Sequence, residues 1–133
     1  MRILIVDDEQ NNRDLLQYML KSIGSCDMAE DGSEAVEAFL LALEGRDPYH
    51  LILLDIMMPG MDGQNALKSI RAHERERGVA GTDEVVVFMV TALDTEQQVV
   101  EAFFKGCCTE YLTKPVKQKV LFDKLREYHL MED

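Results

Sequence analysis

Leu51-Ile52-Leu53-Leu54-Asp55-Ile56-Met57-Met58-Pro59-Gly60-Met61-Asp62-Gly63 is the stretch on which the fold turns. Four branched apolar residues that stop in one carboxylate and then a Pro/Gly loop predict a strand buried on both faces, delivering its acid to the carboxyl edge of a parallel sheet. In open α/β sheets that edge carries the chemistry. Ile3-Leu4-Ile5-Val6 makes the same delivery upstream and ends in Asp7-Asp8-Glu9. Carboxylates converging from two strands repel one another unless a cation or a proton is shared among them, and a hard divalent metal is the simplest partner. A third run, Val85-Val86-Val87-Phe88-Met89-Val90, ends in Thr91-Ala92, and a fourth, Tyr111-Leu112-Thr113, ends in Lys114-Pro115.

Helical patterns fill the gaps. Leu15, Leu16, Met19, Leu20 and Ile23 fall at helical spacing, with Gly24 as the closing signal, and Cys26 to Ala29 reads as a short second strand. Asp31-Gly32-Ser33 opens a helix with Ala35, Val36, Phe39, Leu40 and Leu43 inward, punctuated by Gly45 and Pro48. The next helix places Ala66, Leu67 and Ile70 inward and Arg71, Glu74, Arg75, Glu76 and Arg77 outward, as a solvated helix end. After a polar connection from Gly78 to Glu84, Thr95-Glu96-Gln97-Gln98 has the form of a capping box and predicts a helix to about Gly106. Lys117 to Tyr128 predicts a final helix with Val120, Leu121 and Leu125 facing in. Alternating strands and helices imply a parallel sheet covered on both faces, with right-handed crossovers.

At 133 residues and 47% hydrophobic, residues 1–133 read as one domain that buries a core without staples, with no further domain for output. A net charge of -11 argues against direct nucleic-acid binding, whose affinity comes from Lys and Arg neutralising phosphates, and against an anionic membrane surface. Met1-Arg2 leads straight into a strand, without the n-region and apolar core of a leader, and no long apolar run is present, so the expectation is a soluble cytoplasmic protein. Cys26, Cys107 and Cys108 lack metal spacing and read as reduced thiols; His50, His73 and His129 are scattered and suggest neither zinc nor catalysis.

Asp7-Asp8, Asp55, Thr91-Ala92 and Lys114-Pro115, in that order at successive strand ends, resemble the receiver domain of two-component response regulators, and the likeness runs from Ile3 to about Tyr128. The resemblance implies a (βα)5 doubly wound α/β fold with strand order 2-1-3-4-5, the flavodoxin-like arrangement, which brings the loops after the first and third strands together. It implies that Asp55 accepts a phosphoryl group as an acyl phosphate, a known form of carboxylate covalent catalysis. Asp8 is then the expected direct Mg²⁺ ligand (Mn²⁺ also fits), with Asp7 acting through water, because Mg²⁺ keeps several waters and takes few carboxylates. Asp55 and the backbone carbonyl of Met57 complete the implied ligand set.

Lys114 suits a mobile point charge that pairs with Asp55 at rest and with phosphoryl oxygens afterwards. Thr91 offers a hydroxyl to the phosphoryl group, small Ala92 leaves it room to enter, and Pro115 sits in a turn that is commonly cis in receivers. Tyr111 resembles the aromatic that turns inward when the threonine moves; its alternative reading is an edge-strand packing residue. The donor is then a sensor histidine kinase or a phosphotransfer protein, the recipient of the signal a downstream target protein, and the turnover that of self-phosphorylation and dephosphorylation rather than of a small-molecule enzyme.

Two departures from the family stand out. Gly106-Cys107-Cys108-Thr109-Glu110-Tyr111 is one residue longer than the usual spacing between that glycine and the switch aromatic. Met57 and Leu93 are apolar where some members carry groups that align the attacking water, which predicts a long-lived phosphoryl group. Among competing readings, a flavin binder needs a glycine- and hydroxyl-rich first loop where this chain has Asp7-Asp8-Glu9, and a haloacid-dehalogenase-type phosphatase needs an acid at position 57. A phosphorylation-independent, receiver-like interaction module remains the alternative, although Asp8, Asp55 and Lys114 are all retained.

Overall fold

The computed structural model describes residues 1–56, 58, 60–91 and 108–132. Five parallel strands run in the order β2-β1-β3-β4-β5. They are β1 (Arg2–Val6), β2 (Ser25–Ala29), β3 (Leu51–Asp55), β4 (Val86–Thr91) and β5 (Glu110–Thr113). The helices are α1 (Gln10–Leu20), α2 (Gly32–Glu44), α3 (Gly63–Glu76) and α4 (Gln118–Glu127), with a 3₁₀ turn at Gly81–Asp83. The helix expected from Thr95 to Gly106, and the residues Met57, Ala92, Leu93 and Cys107, lie outside the described residues.

The period of two along each central strand divides the core. Leu4, Val6, Ile52, Leu54, Val87 and Met89 pack on one face against Ala35, Phe39, Ala66, Leu67 and Ile70 of α2 and α3. Ile3, Ile5, Leu51, Leu53, Phe88 and Val90 pack on the other against Leu16 and Leu20 of α1 and Leu121 and Leu125 of α4. All five residues of β3 are buried, as its unbroken apolar run predicts. Asp31 and Asp62 cap α2 and α3, their carboxylates accepting the N–H of Glu34 and Asn65.

Several expectations are corrected. Val120 is 45% exposed, because only Leu121 and Leu125, four apart, share the inward stripe of α4. Leu15 is likewise 47% exposed beside buried Leu16. Gly24 has no left-handed backbone; a side chain there would run into the carbonyl of Met1, so close packing rather than helix termination requires it. Arg71 and Glu74 are not on the solvated face: they are 6% and 2% exposed and paired at 2.8 Å, with Glu74 Oε2 accepting the Val85 N–H and Arg71 donating to the Val85 carbonyl. That buried pair ties α3 to the start of β4.

Candidate functional site

Parallel register sets the site. Val6 stands opposite Leu54 on neighbouring strands, so Asp7 and Asp55 emerge side by side at the carboxyl edge. Gly63 opens α3 directly behind them; a Cβ there would collide with the Asp55 carbonyl, so only glycine lets the helix start this close to the strand end. On the next strand Val90 pairs with Asp55, which puts Thr91, wholly buried, one residue beyond the acid. Thr91 in turn pairs with Thr113, and the Lys114 N–H donates to the Thr91 carbonyl at 2.8 Å.

Four of the expected groups converge. One carboxylate oxygen from each of Asp7, Asp8 and Asp55 lies within 4.8 Å of the others. Lys114 Nζ stands 3.0 Å from Asp7 Oδ2 and 3.2 Å from Asp55 Oδ2, so the resting lysine bridges two acids rather than pairing with Asp55 alone. Burial works to lower the Lys114 pKa, but the hydrogen bond that the ammonium donates to Asp7 and the charges of Asp55 and Asp7 outweigh it and hold the ammonium above its ordinary value. Asp7 and Asp55 are buried, whereas Asp8 is exposed. Asp7 Oδ1 already accepts the Glu9 N–H at 2.9 Å, which leaves Asp8 the acid with more freedom to bind an incoming ion.

The donor set suits a hard dication. One ammonium does not balance three crowded carboxylates, and oxygen donors of this kind select Mg²⁺ or Mn²⁺ over softer metals. The Lys114-Pro115 peptide is cis. Tyr111 is 37% exposed and lines a surface groove with Glu110, Pro115 and Val120. Met57 and Ala92, expected at the site, lie outside the described residues. Glu9 is exposed at the N-cap of α1 and makes no side-chain cap; its carboxylate accepts from Asn12 at 3.5 Å. One residue the sequence reading missed is Arg13, 8% exposed, whose guanidinium donates to the Asp7 carbonyl at 2.6 Å. Its signal was position: Arg13 lies three residues before Leu16 and seven before Leu20, on the buried stripe of α1.

Comparisons agree with this geometry. Residues 3–126 match the response regulator receiver domain family. The chain is 34% identical over 121 residues to the sensor protein GacS of Pseudomonas syringae, covering 90% of itself and 12% of that protein. It is 34% identical over 126 residues to the response regulator PleD of Caulobacter vibrioides, covering 94% of itself and 25% of that protein. It thus spans a small part of these curated relatives. Among solved structures, a chain from the complex of the Saccharomyces cerevisiae phosphotransfer protein Ypd1 with the Ssk1 receiver domain aligns with a TM-score of 0.82 and 29% identity, covering 100% of this chain and 93% of that one. A chain from the CheX-CheY-BeF₃-Mg²⁺ complex of Borrelia burgdorferi aligns at 0.80 and 29%, covering 96% and 89%. With its acids, threonine and lysine at the strand ends of a 2-1-3-4-5 parallel sheet, this chain belongs to the response regulator receiver domain family.

Proposed function

We propose that residues 1–133 act as one receiver domain in phosphorelay signalling, in which Asp55 accepts a phosphoryl group from a sensor histidine kinase or a phosphotransfer protein. The observation that carries this reading is the Lys114 ammonium bridging Asp7 and Asp55 beside the three-acid cluster. Asp7, Asp8 and Asp55, with the Met57 carbonyl, would hold Mg²⁺ or Mn²⁺, which supplies charge neutralisation at the phosphoryl oxygens. An Asp55 carboxylate oxygen attacks phosphorus; the bond to the donor imidazole nitrogen breaks, and the imidazole leaves with its electron pair. Lys114 transfers its charge from the Asp55 carboxylate to a phosphoryl oxygen, and the Thr91 hydroxyl donates to another. Phosphoryl transfer asks for little more than position and neutralised charge.

The output is a biased two-state equilibrium. Tyr111, exposed and lining the groove with Pro115 and Val120, supports a target surface on this side of the domain, its inward turn following movement of Thr91. A downstream target protein reads that surface. Among the described residues no helix is long and apolar enough to cross a membrane, and we place the domain in the cytoplasm, where such donors work. The test is labelling by acetyl phosphate with and without Mg²⁺: the wild type gains one metal-dependent phosphoryl group and Asp55→Asn gains none. Full labelling of Asp55→Asn would move the acceptor to another residue, whereas an unlabelled wild type, or an intact response of the target to Asp55→Asn, would favour the phosphorylation-independent module.

A further inference from the structure

Besides the Arg71–Glu74 pair, which closes on itself and on Val85, the phosphoryl chemistry leaves one further buried charge unused among the described residues, that of Arg13. A guanidinium on the inner stripe of α1, 8% exposed, is costly there unless its donors are satisfied. Its Nη1 donates to the Asp7 carbonyl at 2.6 Å, and its Nη2 lies 3.8 Å from Oε1 of Glu30, the residue after β2. The remaining polar atoms of Asp7 are engaged as well. The N–H donates to the Ala29 carbonyl at 3.2 Å, Oδ1 accepts from Glu9 at 2.9 Å and Oδ2 faces Lys114 at 3.0 Å. The carbonyl that Arg13 holds belongs to the peptide joining Asp7 to Asp8. One buried, charge-assisted bond therefore fixes the plane between two of the three clustered carboxylates.

We propose that Arg13 is a positioning residue for divalent-cation binding, orienting the Asp7-Asp8 peptide so that the Asp8 carboxylate faces Asp55. This rests on the reading that the three acids hold Mg²⁺. Position and charge act here with opposite signs. As a bare positive charge near a cation site, Arg13 would weaken binding, and its removal would tighten it. As an orienting group its removal weakens binding, by about tenfold, the lower end of what is lost when partners that orient metal ligands are removed.

The experiment titrates Mn²⁺ by the loss of the free-ion paramagnetic resonance signal, with Mg²⁺ as competitor, on the wild type, Arg13→Met and Arg13→Gln. Methionine keeps the apolar stem and removes donor and charge together; glutamine removes the charge and keeps an N–H. The expected result is a dissociation constant raised about tenfold for Arg13→Met and by less for Arg13→Gln. Acetyl phosphate labelling should then need more Mg²⁺ to reach half-maximal rate, while the rate at saturating Mg²⁺ stays near that of the wild type. An unchanged or lowered dissociation constant for Arg13→Met overturns the proposal. Should circular dichroism show Arg13→Met unfolded, Arg13→Gln is read by the same criterion of raised against unchanged or lowered. A wild type without saturable metal binding overturns the underlying metal reading instead, and the two failures are thereby told apart.

Discussion

Lys114 Nζ lies 3.2 Å from Asp55 Oδ2 across 59 positions of chain, and this contact joins the last strand of the sheet to its central one. Both ends of the contact sit at strand termini whose backbones are already fixed by the ladder, so little further ordering is needed to hold it.

Removing that ammonium leaves Asp7 and Asp55 buried beside each other without it. Lys114→Met should cost about 2 kcal/mol, less than for a fully enclosed pair because the lysine side chain is 20% exposed. Part of the loss should return on adding Mg²⁺, which replaces the missing charge. Urea unfolding with and without Mg²⁺ measures both, and a variant as stable as the wild type in metal-free buffer would contradict the electrostatic role.

Asp8 responds in the opposite direction. It is exposed, and the two ion pairs of Lys114 run to Asp7 and Asp55. Asp8→Asn therefore relieves repulsion without breaking a pair and should leave stability unchanged or raise it by up to about 1 kcal/mol, while weakening Mg²⁺ binding. Thermal unfolding and Mn²⁺ titration on one preparation decide it; marked destabilisation would count against a crowded cation site.

Tyr49, 6% exposed, is pushed up to about 12, first by burial and then by donating its hydroxyl to Asp27 Oδ2 at 2.7 Å and by that carboxylate's charge. The folded state holds the neutral phenol where the unfolded chain, with its tyrosine pKa of about 10, has released the proton. This contribution is complete below pH 10 and is lost as pH climbs from about 10 to 12. Lys114 adds to the same alkaline loss, since its folded pKa is also raised. Tyr49→Phe should flatten the decline, and urea midpoints measured from pH 9 to 11 test it. An identical decline in the variant would show that Tyr49 ionises freely in the fold.

The buried Arg71–Glu74 pair predicts strong coupling. Glu74→Gln and Arg71→Met should each cost about 2–3 kcal/mol, because each removes the nearest opposite charge from a buried one, whereas the double variant should fall short of their sum by more than about 1 kcal/mol. Additive losses in a denaturation cycle would mean that the two charges are stabilised by other partners.

How far these arrangements could be read beforehand depended on what each residue obeys. Ile3 to Val6 of β1 and Leu51 to Leu54 of β3 are unbroken apolar runs closing in acids, and a sheet buried on both faces permits little else, so Asp7, Asp8 and Asp55 were legible together with their shared edge. Thr91 followed because it, too, closes an apolar strand, and Lys114 from its place between the short strand ending in Thr113 and Pro115. Arg71 and Glu74 defeated the pattern, since a charged pair looks the same whether water or the start of β4 satisfies it. Arg13 was missed for the same reason: its partner is a main-chain carbonyl, which leaves no mark in the sequence. Helical spacing admits Leu15 and Val120 to the apolar stripes, yet each sits beside a residue that fills the inward direction.

The proposed acceptor of the phosphoryl group is a single carboxylate, Asp55. The most direct measurement treats the wild type with acetyl phosphate and Mg²⁺, reduces the acyl phosphate with borohydride to homoserine, and locates the converted residue by peptide mass spectrometry. Homoserine is expected at position 55 alone, dependent on the metal. Conversion at position 7 or 8, or none in protein shown to be folded and metal-loaded, would contradict it.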